Sequence, residues 1–181
     1  MLFRSLFDEQ DEPGRALNEF GRAASFRFEG AYSGGRCIQV AKDRCVGATY
    51  VEPFGHRVPN WDFEIAEEPQ AGQYRYLRFA WRALSEETAG LTLRVGPGHR
   101  GGVAVSAGTP SRVEGAKELT AAEKPPADWH VVTVDLWKAH GGPFRVDSFT
   151  LGAVGGPAAF DRVLLGRTEA DLDAAAAPAK E

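Results

Sequence analysis

Along most of this chain apolar and polar residues alternate with a period of two, the signature of half-buried strands rather than helices. In "QYRYLRFAWRAL" (73–84), Leu77, Phe79 and Trp81 fall on one face, and Tyr76, Arg78 and Arg82 on the other. "LTLRVGP" (91–97) repeats the scheme with Leu91, Leu93 and Val95. "GGRCIQVA", "WDFEIAEEP", "WHVVTVDLW", "SFTLGAV" and "AFDRVLLG" follow it, and "SFRFEG" supplies a short aromatic strand. Between them lie Gly/Pro punctuations: "GPGHRGG", "EKPPAD", "HGGPF" and "VGGPAA". Successive strands with no helices between them predict an antiparallel fold, and one apolar face per strand predicts two sheets packed face to face. The stretch from Pro97 to Asp128 is long for a bare connection, and "GVAVSAG" is a candidate strand within it.

The expected architecture is therefore all-β, an antiparallel two-sheet β-sandwich of the jelly-roll kind spanning 25–168. An N-terminal extension (1–24), charged and weakly helical, and a C-terminal tail or linker (169–181) flank it, both short and helical or disordered. Trp81 and Trp129 are assigned to the core between the sheets.

The chain's 181 residues suit one domain. A net charge of −4, with acids and bases interspersed, lacks the basic stripe of a nucleic-acid binder. No apolar run reaches the roughly 18 residues of a membrane helix, and the N-terminus turns acidic too early for a secretory signal. Cys37 and Cys45 are read either as a cross-hairpin disulfide or as two thiols, depending on compartment. The four histidines are scattered, and neither a nucleophile elbow nor a phosphate loop is present. Glu64 with Glu67 or Glu68 are neighbours on one strand end rather than carboxyls facing across a cleft. The expectation is a non-catalytic protein.

"FEGAYSGGRCIQV" (28–40) resembles the opening motif of galactose-binding-like jelly rolls, and "FDRVLLGR" (160–167) resembles their closing strand. Between the two, "WDFEI…QYRYLRFAWRAL" and "WHVVTVDLW…FTLGAV" are similar to the inner strands of carbohydrate-binding-module-like domains. More narrowly, the run resembles domains appended to large bacterial surface proteins, some carrying c-type cytochrome modules. The resemblance covers about 26–167 and implies a carbohydrate-binding accessory module, extracellular or at the cell surface if part of a longer exported chain. It also implies a structural Ca²⁺ held by Glu29 and Asp161, with carbonyls near Ser33 completing an all-oxygen shell. The competing reading pairs Asp161 with Arg36, Arg162 or backbone N–H groups and needs no metal. Candidate ligand contacts are Tyr76 and Arg78, with Tyr74 and Arg82, on the outward face of the long strand, Trp61 in the "HRVPNWD" loop, and Trp137 near the end of "WHVVTVDLW". The alternative function is a protein-interaction or spacer domain docking a neighbouring domain.

Overall fold

A computed structural model of the protein describes residues 3–7, 24–27, 30–49, 62–98, 100–111 and 113–175. The expected two-sheet sandwich is present. Its first sheet orders β11(His130–Asp135), β7(Tyr76–Ala83), β14(Ala158–Gly166), β3(Cys37–Val40) and β2(Ala24–Arg27), with β1(Phe3–Phe7) also on β14. The second orders β10(Lys117–Ala122), β9(Val103–Gly108), β8(Gly90–Gly96), β13(Ser148–Val154) and β4(Arg44–Thr49). Leu77, Phe79, Trp81 and Phe160 of the first sheet share one buried cluster with Leu91, Leu93, Val95, Phe149 and Leu151 of the second. These are the inward positions of the period-two pattern, and each full burial stabilises the fold by about 1.5–3 kcal/mol.

Three features depart from the expectation. The N-terminal stretch, read as a helical or disordered extension, contributes β1, antiparallel to β14, with Leu6 fully buried. A third, three-stranded sheet, β12(Phe144–Val146), β5(Phe63–Ile65) and β6(Gln73–Tyr74), forms beside the sandwich. The long stretch after Pro97 holds, besides the expected strand at "GVAVSAG" (β9), a second strand, β10, that pairs with it in parallel. A parallel pair needs a crossover, and the chain between them runs back over the second sheet, where Ser111 N–H donates to Thr92 Oγ1 at 2.8 Å. Gly152 admits this strap, since a Cβ there would sit 2.5 Å from Ser111 Oγ.

Cys37 and Cys45 form no disulfide: β3 and β4 belong to opposite sheets, so the hairpin that would have bridged them does not exist. Cys37 is buried and Cys45 exposed. Trp129, expected in the core, instead lies half-buried on the outer side, its indole under the Arg82 guanidinium at 5.0 Å.

Two short helices cap the strands. α1(Leu136–His140) follows β11, and Asp135 caps it by accepting from Lys138 N–H at 3.1 Å. α2(Glu169–Ala174) begins at Thr168 with a capping box, Thr168 and Asp171 each accepting the other's N–H. Among the described residues no helix is long and apolar enough to cross a membrane.

The turn at 97–101 is built around Arg94, fully buried on the second sheet. Its guanidinium donates to the carbonyls of Pro97, Gly98, Arg100 and Gly101 and to Ser148 Oγ, at 2.7–2.9 Å. Burial pulls its pKa down to about 10 against the opposing pull of Asp147, so it stays charged at neutral pH. All five donors of the side chain are thereby engaged.

Candidate functional site

β14 changes partners midway. Ala158–Phe160 pair with β3, and Val163–Gly166 pair with β1, while β7 keeps the other edge. The register slips between Asp161 and Leu164, and Arg162 adopts φ +50°, a left-handed conformation costing a non-glycine residue roughly 1–2 kcal/mol. Such a bulge re-aims a side chain that regular pleating would have placed elsewhere.

Asp161 holds this geometry. Its carboxylate is 0% exposed. Oδ1 accepts from Arg162 N–H at 2.7 Å, and Oδ2 from Tyr32 N–H at 2.8 Å and Ser33 N–H at 3.1 Å. A buried carboxylate is tolerable only when its oxygens are hydrogen-bonded. One side chain thus ties the bulge to the loop that follows residue 30, the corner where the first and last core strands meet.

Tyr32 and Arg162 both line a pocket on the first sheet. Arg78, Phe79, Ala80, Val131, Leu172 and Asp173 complete it, enclosing about 220 Å³. Tyr32 remains 38% exposed and leans on Trp129, ring centroids 6.1 Å apart. Trp129 Nε1 and Arg82 Nη2 both donate to Gly30 O, at 2.9 and 3.3 Å, which steadies the loop from behind. The opposite wall is α2. Leu172 packs over Gly166, where any Cβ would lie 2.5 Å from Leu172 Cγ. Arg78 lines the pocket too, donating to Thr133 Oγ1 at 2.9 Å and to Asp173 Oδ1 at 2.7 Å. Apolar side chains, an open aromatic ring and planar polar groups form one concave site.

A second, wider cleft opens over the three-stranded sheet between Asp62, Glu64, Gln73, Phe144 and Arg145. Its polar groups engage one another: Arg145 pairs with Asp62, and Gln73 Nε2 donates to Glu64 Oε2 at 2.8 Å. Phe144 is stacked on His140 at 4.4 Å.

Of the residues expected from sequence, Arg78 lines the pocket. Tyr76 shares its strand but stands outside the lining, half-buried with the Arg75 guanidinium 5.4 Å from its ring centre. Tyr74 belongs to the core, edge-on to Phe63 at 5.5 Å, and Trp137 is partly buried against that core. Trp61 and Glu29 lie outside the described residues. Ser33 and Asp161, both expected around a Ca²⁺, are joined by the Ser33 N–H donating to Asp161 Oδ2 at 3.1 Å. Among the described residues no group of three or more His, Cys, Asp or Glu side chains gathers as metal ligands would.

Tyr32, Val131, Leu172 and Asp173 escaped the sequence reading, and Arg162 entered it only as a partner for Asp161. A signal existed for two of them: "TEAD" (168–171) is a capping box that starts a helix and carries Leu172 and Asp173 with it. For Arg162 there was none, because its direction depends on β14 exchanging β3 for β1.

No family model matches the sequence, and no curated protein matches it. Among solved structures the chain is similar to "Family 16 Carbohydrate Binding Module-2", with 14% identity over 81% of this chain and 87% of that one and a TM-score of 0.36. It is also similar to a family 11 carbohydrate-binding module from Clostridium thermocellum in complex with a β-1,3-1,4-mixed-linked tetrasaccharide. That match has 11% identity over 91% of this chain and 95% of the other, with a TM-score of 0.44. Both likenesses are distant.

Proposed function

We propose that the protein is a non-catalytic carbohydrate-binding module, taking a saccharide unit into the pocket between the Tyr32 loop and α2. The observation that carries the reading is the composition of that pocket: an open tyrosine ring and the apolar side chains of Ala80, Val131 and Leu172, beside Arg78, Arg162 and Asp173. A sugar ring presents C–H faces suited to the first set and hydroxyls suited to the second. Tyr76 extends the same strand face for a longer glycan, and Trp61 would supply a ring from its loop. The module would serve as an accessory domain of a larger exported protein, and its presence in a secreted or surface fraction checks that location.

Calcium belongs to the same proposal as a structural ion at the Asp161 corner. Glu29, Asp161 and carbonyls near Ser33 would hold it. A thermal melt with Ca²⁺ and with EGTA tests it. Separated curves support the ion, and coincident curves leave Asp161 as a purely hydrogen-bonded clamp.

The binding reading is tested with a glycan array followed by calorimetry on wild type and Tyr32→Ala. Binding weakened about 10-fold or more, some 1.4 kcal/mol, with an unchanged melt is the expected result. A fold-intact protein that binds no glycan defeats the reading in favour of a protein-interaction or spacer domain.

A further inference from the structure

Arg162 is only 8% exposed and lines the pocket, yet among the described residues its guanidinium meets no hydrogen-bond acceptor and no carboxylate. The other charges nearby are spoken for: Arg78 is paired with Asp173 at 2.7 Å, and Asp161 faces three N–H groups. One positive charge, without a protein partner among the described residues, therefore lines a concave site with its nitrogens open to solvent there. The φ of +50° that Arg162 adopts there is costly for a non-glycine residue. Strain of this kind collects where a ligand is met.

We propose that the saccharide unit bound here carries a carboxylate, a hexuronate, and that Arg162 receives it. The inference rests on the carbohydrate-binding reading and specifies its ligand class. The planar guanidinium matches a carboxylate as two parallel hydrogen bonds, a fit that tetrahedral sulfate reproduces less well. The pocket, at about 220 Å³, is smaller than the roughly 300–1,000 Å³ of drug-sized sites, so charge and sugar ring must belong to one small unit. A hexuronate meets that condition, since its carboxylate replaces the hydroxymethyl group of the neutral hexose without enlarging it. Tyr32 covers the sugar face and Arg162 fixes the acid. Asp161, bonded to the backbone of both, sets the distance between them.

Calorimetry on the wild-type protein decides it, using oligomers of galacturonate, glucuronate and mannuronate, their methyl esters, the neutral hexose oligomers and dextran sulfate. The expected result is that at least one acid series binds roughly 10-fold or more tighter than its ester and its neutral counterpart, as loss of a charge-assisted pair implies. Arg162→Gln should erase that preference, whereas Tyr32→Ala should weaken acid and ester alike. Arg162→Asn is the companion variant, because asparagine tolerates the left-handed backbone and keeps the bulge. Neutral oligomers or esters binding as tightly as the acids would overturn the uronate inference and leave the carbohydrate reading standing. Dextran sulfate binding as tightly as the best acid, or a preference that survives both Arg162 variants, overturns it as well. No binding to any saccharide overturns both.

Discussion

The backbone N–H of Tyr32 donates a 2.8 Å hydrogen bond to the buried carboxylate of Asp161, across 129 residues of chain. The same carboxylate takes the N–H of Arg162 at 2.7 Å. Asp161→Asn replaces one oxygen with an NH₂ donor facing an N–H donor, so one amide loses its partner. The variant should be destabilised by about 1–3 kcal/mol in urea denaturation, and saccharide binding should weaken because the two pocket walls are no longer tied together. An Asn variant as stable as wild type would remove Asp161 from the clamp.

Gly166 is the seat of α2. A methyl group there would lie 2.5 Å from Leu172 Cγ and 2.9 Å from Thr168 O, the latter backbone that cannot swing away. Gly166→Ala should cost about 1–3 kcal/mol by overpacking, with amide exchange accelerating across 169–174. Unchanged protection in that segment would show that α2 does not depend on this close approach.

Arg94→Met keeps the length of the side chain and removes five donors from the 97–101 turn. The carbonyls of Pro97, Gly98, Arg100 and Gly101 lose their common partner. A loss of about 2–4 kcal/mol by chemical denaturation is expected, with the pocket on the opposite sheet still binding ligand.

Asp135 sets an acid limit. Burial by itself would raise its pKa, but the Arg75 hydrogen bonds, the Lys138 amide and the two positive charges outweigh burial and hold it below the usual value. The folded state therefore binds this proton more weakly than the unfolded chain. The resulting stabilisation is complete above the ordinary carboxyl pKa of about 3.9 and is lost as pH falls through the lowered folded value. Asp135→Asn should flatten that part of the stability-against-pH curve, measured by urea denaturation between pH 2 and 6. An acid limb as steep as wild type would assign it to other carboxyls.

The cysteines give a test of the sheet assignment. Alkylation under native conditions should label Cys45 and spare Cys37, with both labelled in denaturant, and dithiothreitol should leave the melting temperature unchanged. Mass spectrometry counts the labels. A melt lowered by reductant would require a bridge that β3 and β4 in opposite sheets do not allow.

The sequence by itself determined strand character and the inward faces, because alternation with period two is written into each strand locally. Leu77, Phe79, Trp81, Leu91, Leu93 and Val95 all lie where that pattern puts them. It also marked Asp161 as a charge against an apolar strand and Arg78 as an outward side chain. Trp129 was misplaced because an aromatic residue at a strand's mouth has no neighbours in its own sequence that say which sheet face it will meet. Tyr74 was misplaced because the three-stranded sheet that buries it exists only once β5, β6 and β12 have come together. The pocket was decided by tertiary structure alone. Tyr32, Arg162 and Leu172 sit on a loop, a bulge and a helix, and their meeting depends on β14 exchanging β3 for β1 at Asp161. That exchange is a property of strand pairing between distant segments, and no local pattern encodes it.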